Sequence, residues 1–238
     1  MDEAFVGDAL AVRRITAYLA TLADVIRELR GILLSVREQC DPEVFYNEIR
    51  PWFRGVDSVP GDREWVFEGS EGVVEELSGP SAGQSALIHA LDVFLGVDQY
   101  MEEDGEEGEK QPSFMKRMQA YMPRHHRAFL AHLAASPRPL RAFVENAVDE
   151  EDMTEAGPAS LSPRVLREAY NDAVLALKEF RDAHLQIVAL YIVGPSRRGR
   201  REGECGMRLR GTGGTQLVRF LKGVRDRTEA AVLRQDAA

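Results

Sequence analysis

Cysteine is scarce in this chain of 238 residues, and so are long apolar runs. Only Cys40 and Cys205 are present, which excludes a disulfide framework and favours a reducing compartment. The net charge is −9, whereas a general nucleic-acid-binding protein needs a basic face. The longest apolar run, near residues 185–193, is too short to span a bilayer, and the first residues lack a signal-peptide pattern. We therefore expect a cytoplasmic protein with no nucleic-acid or membrane partner.

Sustained alternation of apolar and polar residues, which marks a half-buried strand, is also missing. Apolar residues recur instead at spacings of three and four, in residues 12–36 and most clearly in residues 162–193. These patterns predict an all-α fold, a bundle of roughly seven or eight helices in one domain over residues 1–238.

The stretch from Ser162 to Val193 predicts one long helix, with Ser162 as its N-cap and Pro163 in its first position. One face of this helix carries eight residues spaced three and four apart: Leu166, Tyr170, Ala173, Leu177, Phe180, His184, Ile187 and Tyr191. Seven of the eight are apolar or aromatic. The remaining one, His184, is therefore predicted to point into the core of the protein.

An inward-facing histidine has two interpretations. His184 is either a core residue whose ring nitrogens are satisfied by neighbours, or a metal ligand held by a rigid helix. A zinc site with two histidines on this helix is excluded, because Phe180 and Val188 occupy the positions four residues away. A single histidine in an apolar pocket remains compatible with the proximal ligand of a haem iron.

Aromatic and small residues mark two further candidate sites. Arg50 stands beside an aromatic cluster formed by Phe45, Tyr46, Ile49 and Trp52. Its guanidinium suits a carboxylate ligand, although a solvated arginine at the edge of the core explains the pattern equally well.

A second candidate site begins at Ser81, which with Gln84 has the spacing of a capping box that opens a helix. The apolar face predicted for that helix consists of Leu87, Leu91 and Phe94. The small residues Ser81 and Ala82 would let a flat ligand approach the backbone.

Four blocks of the sequence together resemble the indoleamine 2,3-dioxygenase family. They are SGPSAGQSALIHALDVFLG, AYMPRHHRAFLAHL, REAYNDAVLALKEFRDAHLQIVALYI and GTGGTQLVRFLKGVRDRT, in that order. The segment DPEVFYNEIRPWFRG resembles the part of the family that precedes them. The resemblance implies a haem-dependent, helical, intracellular enzyme that opens the indole ring of L-tryptophan with O₂ to give N-formylkynurenine, using haem b and an unidentified reductant.

The resemblance also implies roles for individual residues. His184, in RDAHLQIV, matches the proximal ligand of the haem iron, and Arg181 matches the arginine near a haem propionate. Ser81 and Ala82 match small residues over the haem. The residues that match the substrate site are Phe45 and Tyr46 beside the indole, Arg50 at the substrate carboxylate, and Thr212 in a glycine-rich loop.

No pair of carboxylates and no Ser/His/Asp set stands out, so we expect the cofactor and not an acid–base side chain to carry the chemistry. The resemblance implies a small N-terminal domain and further helices ahead of the point where this chain begins. We therefore expect the chain to be the C-terminal, haem-binding portion of such an enzyme. The alternative is a truncated, inactive haem-binding or regulatory relative.

Overall fold

The computed structural model describes residues 4, 8–53, 55, 68–69, 78–97, 114–136, 139–149, 163–198, 211 and 216–234. The α-helices are α1 (Ala9–Gln39), α2 (Pro42–Val44), α3 (Ala86–Phe94), α4 (Phe114–Met118), α5 (Arg124–Ala134), α6 (Leu140–Asp149), α7 (Pro163–Val188), α8 (Gly194–Arg198) and α9 (Leu217–Ala230). Two π turns, Phe45–Ile49 and Ala189–Val193, extend α2 and α7. The shorter 3₁₀ turns are Arg50–Phe53, Ala82–Gln84 and Gln119–Tyr121. The predicted all-α class is confirmed, and none of these helices is long and apolar enough to cross a bilayer.

Helix α1 is the long amphipathic helix predicted near the start of the chain. The Asp8 side chain caps it by accepting a hydrogen bond from the backbone N–H of Leu10 at 2.8 Å. Its buried side chains, which include Leu19 and Ile26, pack along α7. An ion pair between Arg27 of α1 and Asp172 of α7 closes the same interface at its solvent edge.

Helix α7 is the centre of the bundle, because α1, α6 and α9 all pack against it. Its first half is fully enclosed, as the predicted stripe requires: the side chains of Leu166, Tyr170, Ala173 and Leu177 are all buried. The predicted N-cap, Ser162, lies outside the described residues. The buried first half of α7 therefore holds the residues of its second half in fixed positions.

Hydrogen bonds of Tyr170 connect α7 to α3 and α6. Its hydroxyl donates to the carbonyl oxygen of Leu95, just after α3, at 2.6 Å and accepts from Arg141 of α6 at 3.1 Å. Arg141 also donates to the carbonyl of Ala231, just after α9. Gly96 has φ +67°, and a Cβ there would lie 3.0 Å from the Arg141 side chain. A left-handed, side-chain-free residue is therefore needed where α3 ends against α6.

Candidate functional site

His184 lies in the second half of α7, where the side chains of the stripe are only half-buried. This differs from the predicted deep position, because Phe180, His184 and Ile187 keep part of their surface outside the protein core. Burial, and then the nearby positive charge of Arg181, lower the pKa of His184 below its usual value. No group among the described residues hydrogen-bonds its ring. At neutral pH the imidazole is therefore uncharged and keeps a nitrogen lone pair that a metal could accept.

Arg181 lies one helical turn before His184, and it is held by two other helices. Its Nη2 atom donates to Asp92 Oδ1 of α3 at 2.5 Å, and its Nη1 atom donates to the hydroxyl of Thr228 of α9. Both members of the Arg181–Asp92 ion pair are buried. A buried pair of charges costs free energy to desolvate, and the second bond of Arg181, to the Thr228 hydroxyl, offsets part of that cost. This pair fixes α3 against α7 within one turn of His184.

One residue predicted to bind substrate, Phe45, packs on the π turn that follows α7. The ring of Phe45 meets the ring of Tyr191 edge-to-face, with the centroids 5.6 Å apart. The Tyr191 hydroxyl donates to the carbonyl of Cys40 at 2.7 Å, which anchors the start of the same segment. Phe45 and Tyr191 both belong to π turns, a distortion that is frequent at functional sites. Phe45 is therefore connected to the helix that carries His184.

Arg50 is buried, with 7% of its surface exposed, and its guanidinium carbon lies 5.4 Å from the centre of the Tyr46 ring. This is cation–π geometry, and it excludes the interpretation of Arg50 as a solvated surface charge. Trp52, however, is 84% exposed and does not belong to a buried cluster. The predicted aromatic cluster is therefore wrong for Trp52, which lies in the 3₁₀ turn beyond Arg50 and points outward.

The predicted capping box at Ser81 is present, but it opens a 3₁₀ turn and not the α-helix. The Ser81 hydroxyl accepts from the Gly83 N–H at 3.2 Å, and Gln84 Oε1 accepts from the Ser81 N–H at 3.3 Å. Helix α3 starts after this turn and has its own cap, Ser85. Ser81 is half-buried and Ala82 is exposed, so the small side chains of the turn border open space.

The apolar face predicted for α3 is largely wrong. Leu87 is 50% exposed and Phe94 is 37% exposed, whereas His89 and Asp92 are buried together with Leu91. Almost every residue of ALIHALDVF is apolar, so the spacing of apolar residues could not identify the buried face. His89 and Asp92 are the functional candidates that the sequence pattern missed. Their only sequence signal is that two polar residues, three positions apart, interrupt an apolar helix.

Several connections link the predicted site residues that lie in the described part of the chain. Arg181 and His184 share α7, Tyr46 stacks with Arg50, and Phe45 reaches α7 through Tyr191. Ser81 and Ala82 connect to α7 through α3 and its Asp92. Thr212 lies outside the described residues, and its neighbour Gly211 is buried.

Comparisons of the sequence with a family model and with individual proteins point to the same family. A family model described as indoleamine 2,3-dioxygenase matches residues 1–231. The indoleamine 2,3-dioxygenase of Saccharomyces cerevisiae is 34% identical, over 89% of this chain and 49% of that protein. Indoleamine 2,3-dioxygenase 1 of Rattus norvegicus is also 34% identical, over 90% of this chain and 49% of that protein. A 6-hydroxytryptophan 2,3-dioxygenase of Fusarium equiseti is 31% identical, over 90% of this chain and 51% of that protein.

This chain therefore spans about half the length of these relatives. The family model, by contrast, matches the chain over almost its whole length, and the residues around His184 and Arg50 fall within the match. The chain belongs to the indoleamine 2,3-dioxygenase family.

Proposed function

We propose that this chain is the haem-binding portion of a dioxygenase that opens the indole ring of L-tryptophan with O₂ to give N-formylkynurenine. The observation that carries the proposal is His184, a half-buried imidazole on the apolar stripe of a long helix, whose pKa is lowered by burial and then by the charge of Arg181. Family membership supports the reaction class, because the matched relatives in yeast and rat are named indoleamine 2,3-dioxygenases. Another relative is named for 6-hydroxytryptophan, so the substituents on the indole ring of the substrate differ between members of the family.

The residues around His184 fit haem b. Iron needs a nitrogen with a free lone pair, and the ring of His184 has no hydrogen-bond partner among the described residues. The flat faces of a porphyrin need apolar neighbours, which Phe180 and Ile187 supply because they are half-buried on either side of His184. Carboxylate side chains of the porphyrin need a cation, a role that the family resemblance gives to Arg181, whose guanidinium is held one turn from His184 by Asp92 and Thr228. When bound, haem supplies the redox chemistry with O₂, for which it needs a reductant that we leave unidentified.

The remaining residues hold the substrate in this proposal. The Arg50 guanidinium pairs with the tryptophan carboxylate, and it is suited to this because a buried cation attracts a carboxylate more strongly than an exposed one. Phe45 and Tyr46 lie against the indole, and the family resemblance assigns Thr212 to the same substrate. Ser81 and Ala82 would leave room for the flat cofactor because their side chains are small. Together these groups orient the indole and exclude water, which is the work of positioning and not of proton transfer.

The test is haem binding and product formation in the full chain and in His184→Ala. We expect the variant to remain helical by circular dichroism and to bind haem more than about a hundredfold more weakly. The estimate is a lower bound, since losing a group that merely supports a metal ligand already costs about 10–100-fold.

The matched control is His132→Ala, which removes an exposed histidine of α5. A histidine-ligated haem spectrum that survives in His184→Ala and is unchanged in His132→Ala contradicts the ligand assignment. N-formylkynurenine formation by the haem-loaded chain is a separate measurement. Haem binding without product would instead favour a haem-binding relative without turnover.

A further inference from the structure

We propose that His89 is a positioning residue that holds the Ser81–Gln84 turn at a fixed depth against α4. The restraint itself consists of contacts within the chain. Its consequence for tryptophan rests on the proposed function, in which Ser81 and Ala82 border the cofactor. His89 is missing from the roles that the family resemblance implies, and it was not predicted from the spacing of residues in the sequence.

His89 is 5% exposed, and both of its ring nitrogens have partners. The Nε2 atom lies 2.7 Å from the carbonyl oxygen of Gly83, which can only accept, so Nε2 carries the hydrogen. The Nδ1 atom lies 3.2 Å from Nε2 of Gln119, whose amide group donates to it. Both contacts are satisfied by the neutral ring with its hydrogen on Nε2.

The turn is restrained from two sides, and His89 supplies one of the restraints. On one side the backbone of Gly83 is pressed against α4, because a Cβ on this residue would lie 3.2 Å from both Phe114 and Met118. These two side chains are buried and limit movement of the turn toward α4. The hydrogen bond from His89 to the Gly83 carbonyl limits movement in the opposite direction. A Cβ at position 83 would therefore force these two side chains to shift by a few tenths of an ångström, so Gly83 suits the close approach that His89 maintains.

The same helix face connects this turn to the helix that carries His184. Asp92 lies three residues after His89 on α3, and both side chains are buried. Asp92 pairs with Arg181, which lies three residues before His184 on α7. One short helix therefore contacts the Ser81–Gln84 turn through His89 and the His184 helix through Asp92. Loss of the His89 contact should release the turn while leaving α3 attached to α7.

The experiment replaces His89 with three side chains that separate its two contacts. In His89→Gln the amide reaches the position of Nε2, so the bond to Gly83 is kept. In His89→Asn the amide reaches only the position of Nδ1, so the contact with Gln119 is kept and the bond to Gly83 is lost. His89→Leu loses both. Asn171→Leu is the control, because it removes two hydrogen bonds to Leu233 that lie near the end of the chain.

Each full-length variant is measured by amide hydrogen exchange over residues 81–85 and, after loading with haem, by kcat and KM for tryptophan. We expect about tenfold faster exchange in His89→Asn and His89→Leu, the size of effect that follows from losing one buried hydrogen bond. KM should rise by a similar factor with kcat changed less than about threefold, because orientation and not chemistry is lost. His89→Gln should stay within about twofold of the parent, and Asn171→Leu should leave residues 81–85 unaffected.

The proposal is overturned if residues 81–85 exchange at the parental rate in His89→Asn and His89→Leu. It is also overturned if they exchange as fast in His89→Gln as in His89→Leu. Gln119→Leu keeps the test decisive if a substitution at His89 prevents folding, because it removes only the second contact. It should speed the exchange of residues 81–85 by no more than about twofold, as in His89→Gln, whereas an increase of about tenfold would overturn the proposal by making Gln119, and not the bond to Gly83, the main restraint. Exchange needs no turnover, so a chain that forms no N-formylkynurenine refutes the proposed function without deciding the role of His89.

Discussion

The two halves of α7 carry the same apolar stripe, but they are used differently. In the first half, from Leu166 to Leu177, the stripe is completely buried, and Tyr170 hydrogen-bonds the ends of other helices. In the second half, Phe180, His184 and Ile187 are only half-buried. The spacing of residues is continuous across both halves, so spacing alone does not separate core from site. The difference lies in what the neighbouring helices cover.

The polar contacts of the two halves differ in the same way. Tyr170 in the first half is neutral, and its contacts with Leu95 and Arg141 satisfy backbone and side-chain groups where helices end. Arg181 in the second half is a buried charge whose partner, Asp92, belongs to a helix that also carries His89. A neutral hydrogen bond that is lost leaves a buried polar group unsatisfied, at a cost of about 1–3 kcal/mol, whereas a buried charge that loses its partner costs about 3–5 kcal/mol. The second half should therefore be the more sensitive one to single substitutions.

The largest effect is expected for Asp92→Leu, which leaves the Arg181 guanidinium without its carboxylate. We expect the free energy of unfolding in urea to fall by about 3–5 kcal/mol, the usual cost of breaking a buried ion pair by removing one partner. The double variant Asp92→Leu/Arg181→Leu should recover much of this loss, because no buried charge remains. Glu168→Leu is the control, since its ion pair with Arg164 is exposed and should contribute less than about 1 kcal/mol. Equal losses in Asp92→Leu and Glu168→Leu would contradict the predicted difference.

A smaller effect is expected in the first half of the helix, for Tyr170→Phe. This change removes only the hydroxyl, so the Leu95 carbonyl loses its donor and Arg141 loses one acceptor. We expect the free energy of unfolding to fall by about 1–3 kcal/mol, the cost of a buried polar group left unsatisfied. Haem affinity and its spectrum should stay as in the parent, because this half is structural. A spectral change comparable to that of His184→Ala would show that the two halves are not separable.

Sequence reasoning predicted the long helices well, because their apolar residues repeat over many turns. It predicted α1, α7 and the capping box at Ser81 for this reason, together with local hydrogen-bonding rules. It failed for the face of α3, where nearly all residues are apolar and the buried polar ones depend on partners distant in sequence. Asp92 lies 89 positions from Arg181, and His89 lies 30 positions from Gln119. No pattern of neighbouring residues in the sequence predicts such pairs. Nor does any such pattern predict that the Trp52 side chain points outward.

The smallest expected effect is the pH dependence of the free energy of unfolding, to which the second half of α7 contributes through His184. Burial and the charge of Arg181 lower the pKa of His184 in the folded chain, whereas the unfolded chain takes up this proton near the ordinary value of about 6.5. Below that pH the unfolded state binds more protons than the folded state, so the free energy of unfolding falls as the pH falls from about 6.5 toward the folded pKa.

The slope that a single group contributes is at most about 1.4 kcal/mol per pH unit. We would measure unfolding of the haem-free chain in urea at pH 7.5 and 5.5, in the parent and in His184→Leu. The loss of stability between the two pH values should be smaller in His184→Leu, because the group responsible is gone. Tyr170→Phe, which changes no group that titrates in this range, should show the same pH dependence as the parent. If His184→Leu keeps the pH dependence of the parent, His184 has the same pKa in the folded and the unfolded chain. The second half of α7 would then be as open to water as the unfolded chain.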